Sequence, residues 1–87
     1  IDYAIEESLQ KTLDTILADH RGEYTHVEKV RSRRTARRVY LELFLSFSAE
    51  LPFGEVHRRV MLLKHSVEER FPGADITIIP SLPPLTP

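Results

Sequence analysis

The sequence predicts an α+β fold of order α-β-β-α-β, a three-stranded sheet with both helices on one face. Three observations lead there. A leucine and isoleucine stripe at helical spacing opens the chain, with Ile5, Leu9, Leu13 and Ile16 four, four and three residues apart. A strictly alternating run follows, in which Val39, Leu41, Leu43, Leu45 and Phe47 are interleaved with Tyr40, Glu42, Phe44, Ser46 and Ser48. A second helical stripe, Val56, Val60, Leu63 and Val67, then stops at Phe71-Pro72-Gly73 and gives way to a short apolar run. The stripes and the alternating face need a common surface, and two helices stacked on one sheet face supply it.

The first helix is expected over residues 2–19. Asp2 is suited to cap its start, and Glu6 and Glu7 complement the positive end of the helix dipole. Gly22 lies just beyond the end, where a left-handed residue often closes a helix. Strands are expected over 24–32 and 38–48, joined by the basic turn Arg33-Arg34-Thr35-Ala36-Arg37, which lacks the Asn-Gly signature of a tight hairpin. The second helix is expected over 52–70, with Pro52 in its first turn. His57, Met61, Lys64 and His65 form a further stripe to one side of its core face. Proline disfavours helical geometry in the residue before it, so Phe71 ends the helix. The strand 74–79 is too apolar for an exposed edge. Pro80, Pro83, Pro84 and Pro87 make the remainder an extended, loose tail.

Composition narrows the function. The chain has 87 residues, 41% hydrophobic and 29% charged, which describes one small globular domain. A chain this short buries only about 60–65% of the surface its unfolded form exposes, so a partner subunit would help to stabilise it. No apolar run is long enough to span a bilayer, and no signal peptide is present. Zero cysteines exclude disulfides and thiolate zinc sites. A start at Ile1-Asp2 without methionine points to a piece of a longer protein. No cysteine nucleophile, Gly-rich phosphate loop or Gly-x-Ser-x-Gly turn is present, which speaks against an enzyme and leaves no catalytic residues to name.

Charge is distributed unevenly. Net charge is −1, yet Lys29, Arg31, Arg33, Arg34, Arg37 and Arg38 fall in ten residues without an acid. The first nineteen residues hold Asp2, Glu6, Glu7, Asp14 and Asp19 against Lys11 alone. The basic hairpin 29–38 therefore has several readings: a solvated turn, a salt-bridging partner for a neighbour's acidic first helix, a contact for anionic lipid head groups, or a phosphate grip. Arg33, Arg34, Arg37 and Arg38 are the candidate contacts with an anionic partner. Sequence-specific RNA binding is not favoured, since no Gly-x-x-Gly loop is present. On the second strand, Tyr40 and Phe44 are large for a face meant for water, so Tyr40, Glu42 and Phe44 are the candidate dimer interface.

Three stretches carry a resemblance to a known family. They are Val30-Arg31-Ser32-Arg33 entering the hairpin, Leu51-Pro52-Phe53-Gly54-Glu55-Val56-His57, and Glu68-Glu69-Arg70-Phe71-Pro72-Gly73-Ala74-Asp75-Ile76-Thr77-Ile78. In this order the chain resembles the C-terminal cytoplasmic domain of cation diffusion facilitator metal transporters over residues 1–80, with 81–87 as a proline-rich tail. The resemblance implies a ferredoxin-like or metallochaperone-like fold. It also implies a homodimer at the cytoplasmic face of the membrane, attached to the membrane domain of an integral membrane protein. The function it implies is dimerisation and regulation of a divalent-cation efflux transporter, zinc being the expected cation. The alternative is a free-standing ferredoxin-like module binding RNA or protein through hairpin 29–38.

Carried over residue by residue, the family's metal site is largely dismantled. His57 stands at the family's helix histidine. Phe44 and Ile79 stand where relatives have strand histidines, and Ser81 where an aspartate commonly follows. Met61 and Lys64 replace acids. Glu28 is near the family's first-strand histidine, with His26 two residues earlier. A composite zinc site of His57, His26 and Glu28 is therefore the candidate metal centre, provided no bulge separates the two strand residues; the alternative is an ordinary surface histidine at 57 and no metal. His20 and His65 are weaker candidates, His20 being suited to the C-terminal end of the first helix. Phe44, an aromatic in place of a ligand, implies a dimer less dependent on metal than its relatives.

Overall fold

The computed structural model describes residues 7–85. Its elements are α1 (Glu7–Asp19), a single 3-10 turn (Arg21–Glu23), β1 (His26–Arg34), β2 (Val39–Ser46), α2 (Phe53–Arg70) and β3 (Asp75–Ser81). The α-β-β-α-β order is the one expected. Asp2, Ile5 and Glu6 lie outside the described residues.

Alternation along β2 builds the core. Leu41, Leu43 and Leu45 are 2% exposed or less, and Leu13, Ile16 and Leu17 of α1 with Leu63 and Val67 of α2 close over them. Leu9, Val56 and Val60 flank that core and are only partly buried. Both helices therefore cover one sheet face. The other face, bearing Tyr40, Glu42 and Phe44, has no second layer among the described residues.

The strand order is β1-β2-β3, with β1 antiparallel and β3 parallel to the central β2. This corrects the reading of the last strand, because β3 is an edge. Its apolar character comes from facing both ways: Ile76 and Ile78 are buried beneath the helices, while Ile79 is half-buried on the open side. Pro80 is tolerated inside β3 because an edge strand has one side free of ladder bonds.

The turns follow from local chemistry. The N–H of Phe71 donates to the carbonyl of Val67 as the last helical bond of α2, and Gly73 takes φ +82° to turn the chain into β3. Gly73 is the only described residue with positive φ. Gly22 was expected to supply such a conformation after α1 but sits inside the 3-10 turn instead. His20 closes α1: its Nδ1–H donates to the Ile16 carbonyl at 2.9 Å, so Nε2 is left to accept from the Ser66 hydroxyl at 3.2 Å. The Tyr24 hydroxyl donates to the Leu17 carbonyl at 2.8 Å. These bonds tie the end of α1 to α2 and to the start of β1.

Candidate functional site

The open sheet face is a grid whose rows follow from register. Across β1, β2 and β3 the rows read Arg33–Tyr40–Asp75, Arg31–Glu42–Thr77, Lys29–Phe44–Ile79 and His26–Ser46–Ser81. Lys29, Arg31 and Arg33 of β1 each lie across their β2 neighbour. The Arg33 guanidinium is 4.5 Å from the Tyr40 ring centroid, the Lys29 ammonium is 5.9 Å from that of Phe44, and Arg31 Nε is 3.6 Å from Glu42 Oε1. Arg38 adds a 4.0 Å pair with Asp75. Exposed cation–π contacts are worth about 0.5–1 kcal/mol and exposed ion pairs about 0–1 kcal/mol, so this cover is easily displaced. Tyr40, Glu42, Phe44 and Ile79 are all only half-buried beneath it. The candidate interface residues Tyr40, Glu42 and Phe44 thus form one line along the middle of the face.

The donors proposed for metal are scattered. A register irregularity falls between Val27 and Lys29, at Glu28, so Lys29 and not Glu28 is paired with Phe44. Ser46 is fully buried beside it; its Oγ accepts from the His26 N–H at 3.1 Å and donates to the His26 carbonyl at 3.4 Å. His57 belongs to α2, in the helix layer, and is exposed, its ring stacked on Phe53 at 6.3 Å between centroids. His26 lines the open side, so the sheet stands between the two. Among the described residues no group of three or more His, Asp or Glu side chains is placed to hold a metal ion. Among the described residues of one chain the composite of His57, His26 and Glu28 is therefore not assembled. His65 reaches only Glu69, at 3.8 Å, and His20 is spent on the α1–α2 contact.

A charged fork at the start of α2 went unnoticed in the sequence. The Glu55 carboxylate accepts from Arg58 at 2.8 and 3.1 Å and from Arg59 at 2.7 Å. Arg58 also reaches Glu23 Oε1 at 3.4 Å, while Arg59 donates to the Gly22 and Glu23 carbonyls, each at 3.4 Å. Hydrogen bonds from Arg58 first and Arg59 second hold the Glu55 carboxyl down at about 2, and the same carboxylate raises Arg58. The Glu-x-x-Arg-Arg spacing, which places both cations within reach on a helix, was the available signal. Burial, partly offset by the charge of Arg21, raises the Tyr24 hydroxyl. Phe53, 81% exposed, and Met61 mark the solvent side of α2.

A family model described as "Cation efflux protein, cytoplasmic domain" matches residues 5–78. Among solved structures, the zinc form of CzrB superposes with a TM-score of 0.80 at 24% identity, covering 94% of this chain and 92% of that one. A second CzrB structure gives the same score and identity over 94% of this chain and 100% of the other. A cadmium form of a MamM C-terminal domain variant gives 0.75 at 13% identity, over 90% and 98%. These likenesses are of fold. Comparison with curated protein sequences returns no match.

Proposed function

Because this chain belongs to the family of cation efflux protein cytoplasmic domains, we propose that it is the dimerising, regulatory domain of a divalent-cation efflux transporter. It works at the cytoplasmic face of the membrane, attached to a membrane-spanning part that precedes α1. No helix among the described residues is long and apolar enough to cross a membrane. Zinc is the favoured cargo.

Two copies pair through the open sheet face, with Tyr40, Glu42 and Phe44 at the centre. The observation that carries this reading is a central strand with large aromatics on the side that no helix covers. A face with an acid in its middle and cations along one edge is self-complementary under a two-fold axis, as an isologous contact requires. Pairing would exchange the weak intrachain cover of Lys29, Arg31 and Arg33 for burial against a second copy.

The dimer depends less on metal than the family pattern implies. Phe44 and Ile79 occupy the middle of the face with apolar side chains, and the remaining donors, His26, Glu28 and His57, are dispersed. The alternative of an RNA-binding module gains no support, since the chain has no Gly-x-x-Gly loop. Sedimentation velocity in the presence of a chelator tests the proposal. A dimer at tens of micromolar is expected, and monomer alone at that concentration would overturn it.

A further inference from the structure

Half of the protein's positive charge is gathered in one hairpin. Six of its twelve lysines and arginines, Lys29, Arg31, Arg33, Arg34, Arg37 and Arg38, fall within ten residues that contain no acid. All six are exposed. The tip is also stiff. The N–H of Thr35 donates to the Arg38 carbonyl at 2.9 Å, and its Oγ1 accepts from the N–H groups of Arg38 at 3.1 Å and Arg37 at 3.4 Å. The arginines are therefore presented from a set loop, with less ordering entropy to lose on binding.

The topology settles which end of the domain this is. Arg34 pairs with Val39 to close the hairpin, and Tyr40 pairs with Asp75, so the α2–β3 turn lies at the same end. The opposite end holds the turn that follows α1, because Thr25 donates to the Ser46 carbonyl and Arg59 reaches Gly22 and Glu23. His20 meets Ser66 further along α2, so α1 runs antiparallel to α2 and begins at the hairpin end. The chain thus enters the domain on the side where the arginines sit.

We infer that the β1–β2 hairpin is a docking surface for the anionic lipid head groups of the bilayer to which the transporter's membrane part is anchored. This rests on the proposed function, which puts the membrane part ahead of α1 and so turns this end towards the bilayer. The negative potential of a cytoplasmic leaflet fades within a Debye length, so only basic residues on the near end respond to it. Among the described carboxylates at that end, Asp75 is engaged by Arg38. Head-group docking would restrain the domain's tilt beneath the membrane and add to the restraint from its partner copy.

Vesicle co-sedimentation of this chain tests the inference, with phosphatidylglycerol–phosphatidylcholine vesicles set against phosphatidylcholine alone. Binding only to the anionic vesicles, weakened by salt, is expected. Arg34→Ser and Arg37→Ser should each lower the partition coefficient roughly fivefold, and lysine at the same positions should restore most of it, since a point charge suffices. Failure to bind anionic vesicles, or equal binding to neutral ones, would overturn the inference. So would tighter retention on single-stranded polynucleotide than on vesicles. Serine variants that weaken self-association in the absence of lipid would instead place the arginines against a second copy's acids, and would equally overturn it. A chain that dimerises but ignores lipid loses only this inference; a chain that never dimerises loses the function proposed above.

Discussion

Replacing Phe44 by serine is the substitution with the largest calculable effect on pairing. Phe44 lies on the open face opposite Lys29 and Ile79 and makes no part of the buried core. Burying a phenylalanine fully is worth about 1.5–3 kcal/mol, but this ring is already half-covered, by the Lys29 stem among others. The remaining gain is at the low end, about 1–1.5 kcal/mol per copy. An isologous dimer contains the ring twice, so Phe44→Ser should cost about 2–3 kcal/mol of association, a weakening of roughly thirty- to a hundred-and-fiftyfold. Sedimentation equilibrium with chelator present over a range of concentrations measures that shift directly. Thermal unfolding of the monomer should change little, because the core on the far side of β2 is untouched. If Phe44→Ser dimerises as tightly as the unaltered chain, the open face is not the contact and the reasoning fails.

Two further outcomes are expected. Zinc titrated calorimetrically into the intact chain and into His57→Ala should give the same heats, because no donor cluster forms around His57; a stoichiometric heat lost on substitution would restore the histidine to a site. Glu55 should shape the acid limb of stability. Its carboxyl is held from the ordinary 4.5 down to about 2, and a group with a lower folded pKa stabilises above its unfolded value and loses that contribution as pH falls through the folded one. Thermal unfolding of Glu55→Gln should therefore depend less on pH between 4.5 and about 2 than that of the unaltered chain, and parallel acid limbs would show that the fork is not formed in solution.

Much of this architecture was legible in the residues because period and burial coincide. The alternation of β2 named both of its faces, and the stripes of α1 and α2 named the residues that close over one of them. What stayed hidden depends on pairing. An apolar strand reads alike whether central or at an edge, and β3 is an edge because α2 returns the chain parallel to β2 with no further strand beyond it among the described residues. The irregularity at Glu28 leaves no mark in composition, yet it shifts the register so that Lys29 and not Glu28 is paired with Phe44. The cations laid across Tyr40, Glu42 and Phe44 became visible only with the β1–β2 register. Gly22 looked like a helix stop, but a 3-10 turn followed α1 and needed no left-handed residue.

Nuclear magnetic resonance with an inert soluble paramagnetic agent, at a concentration where the chain is paired and with chelator present, tests the open face most directly. Tyr40, Phe44, Thr77 and Ile79 are expected to be shielded from relaxation while Phe53, Met61 and Leu62 on α2 are bleached. The reverse pattern, with α2 protected and the sheet face open to the agent, would contradict it.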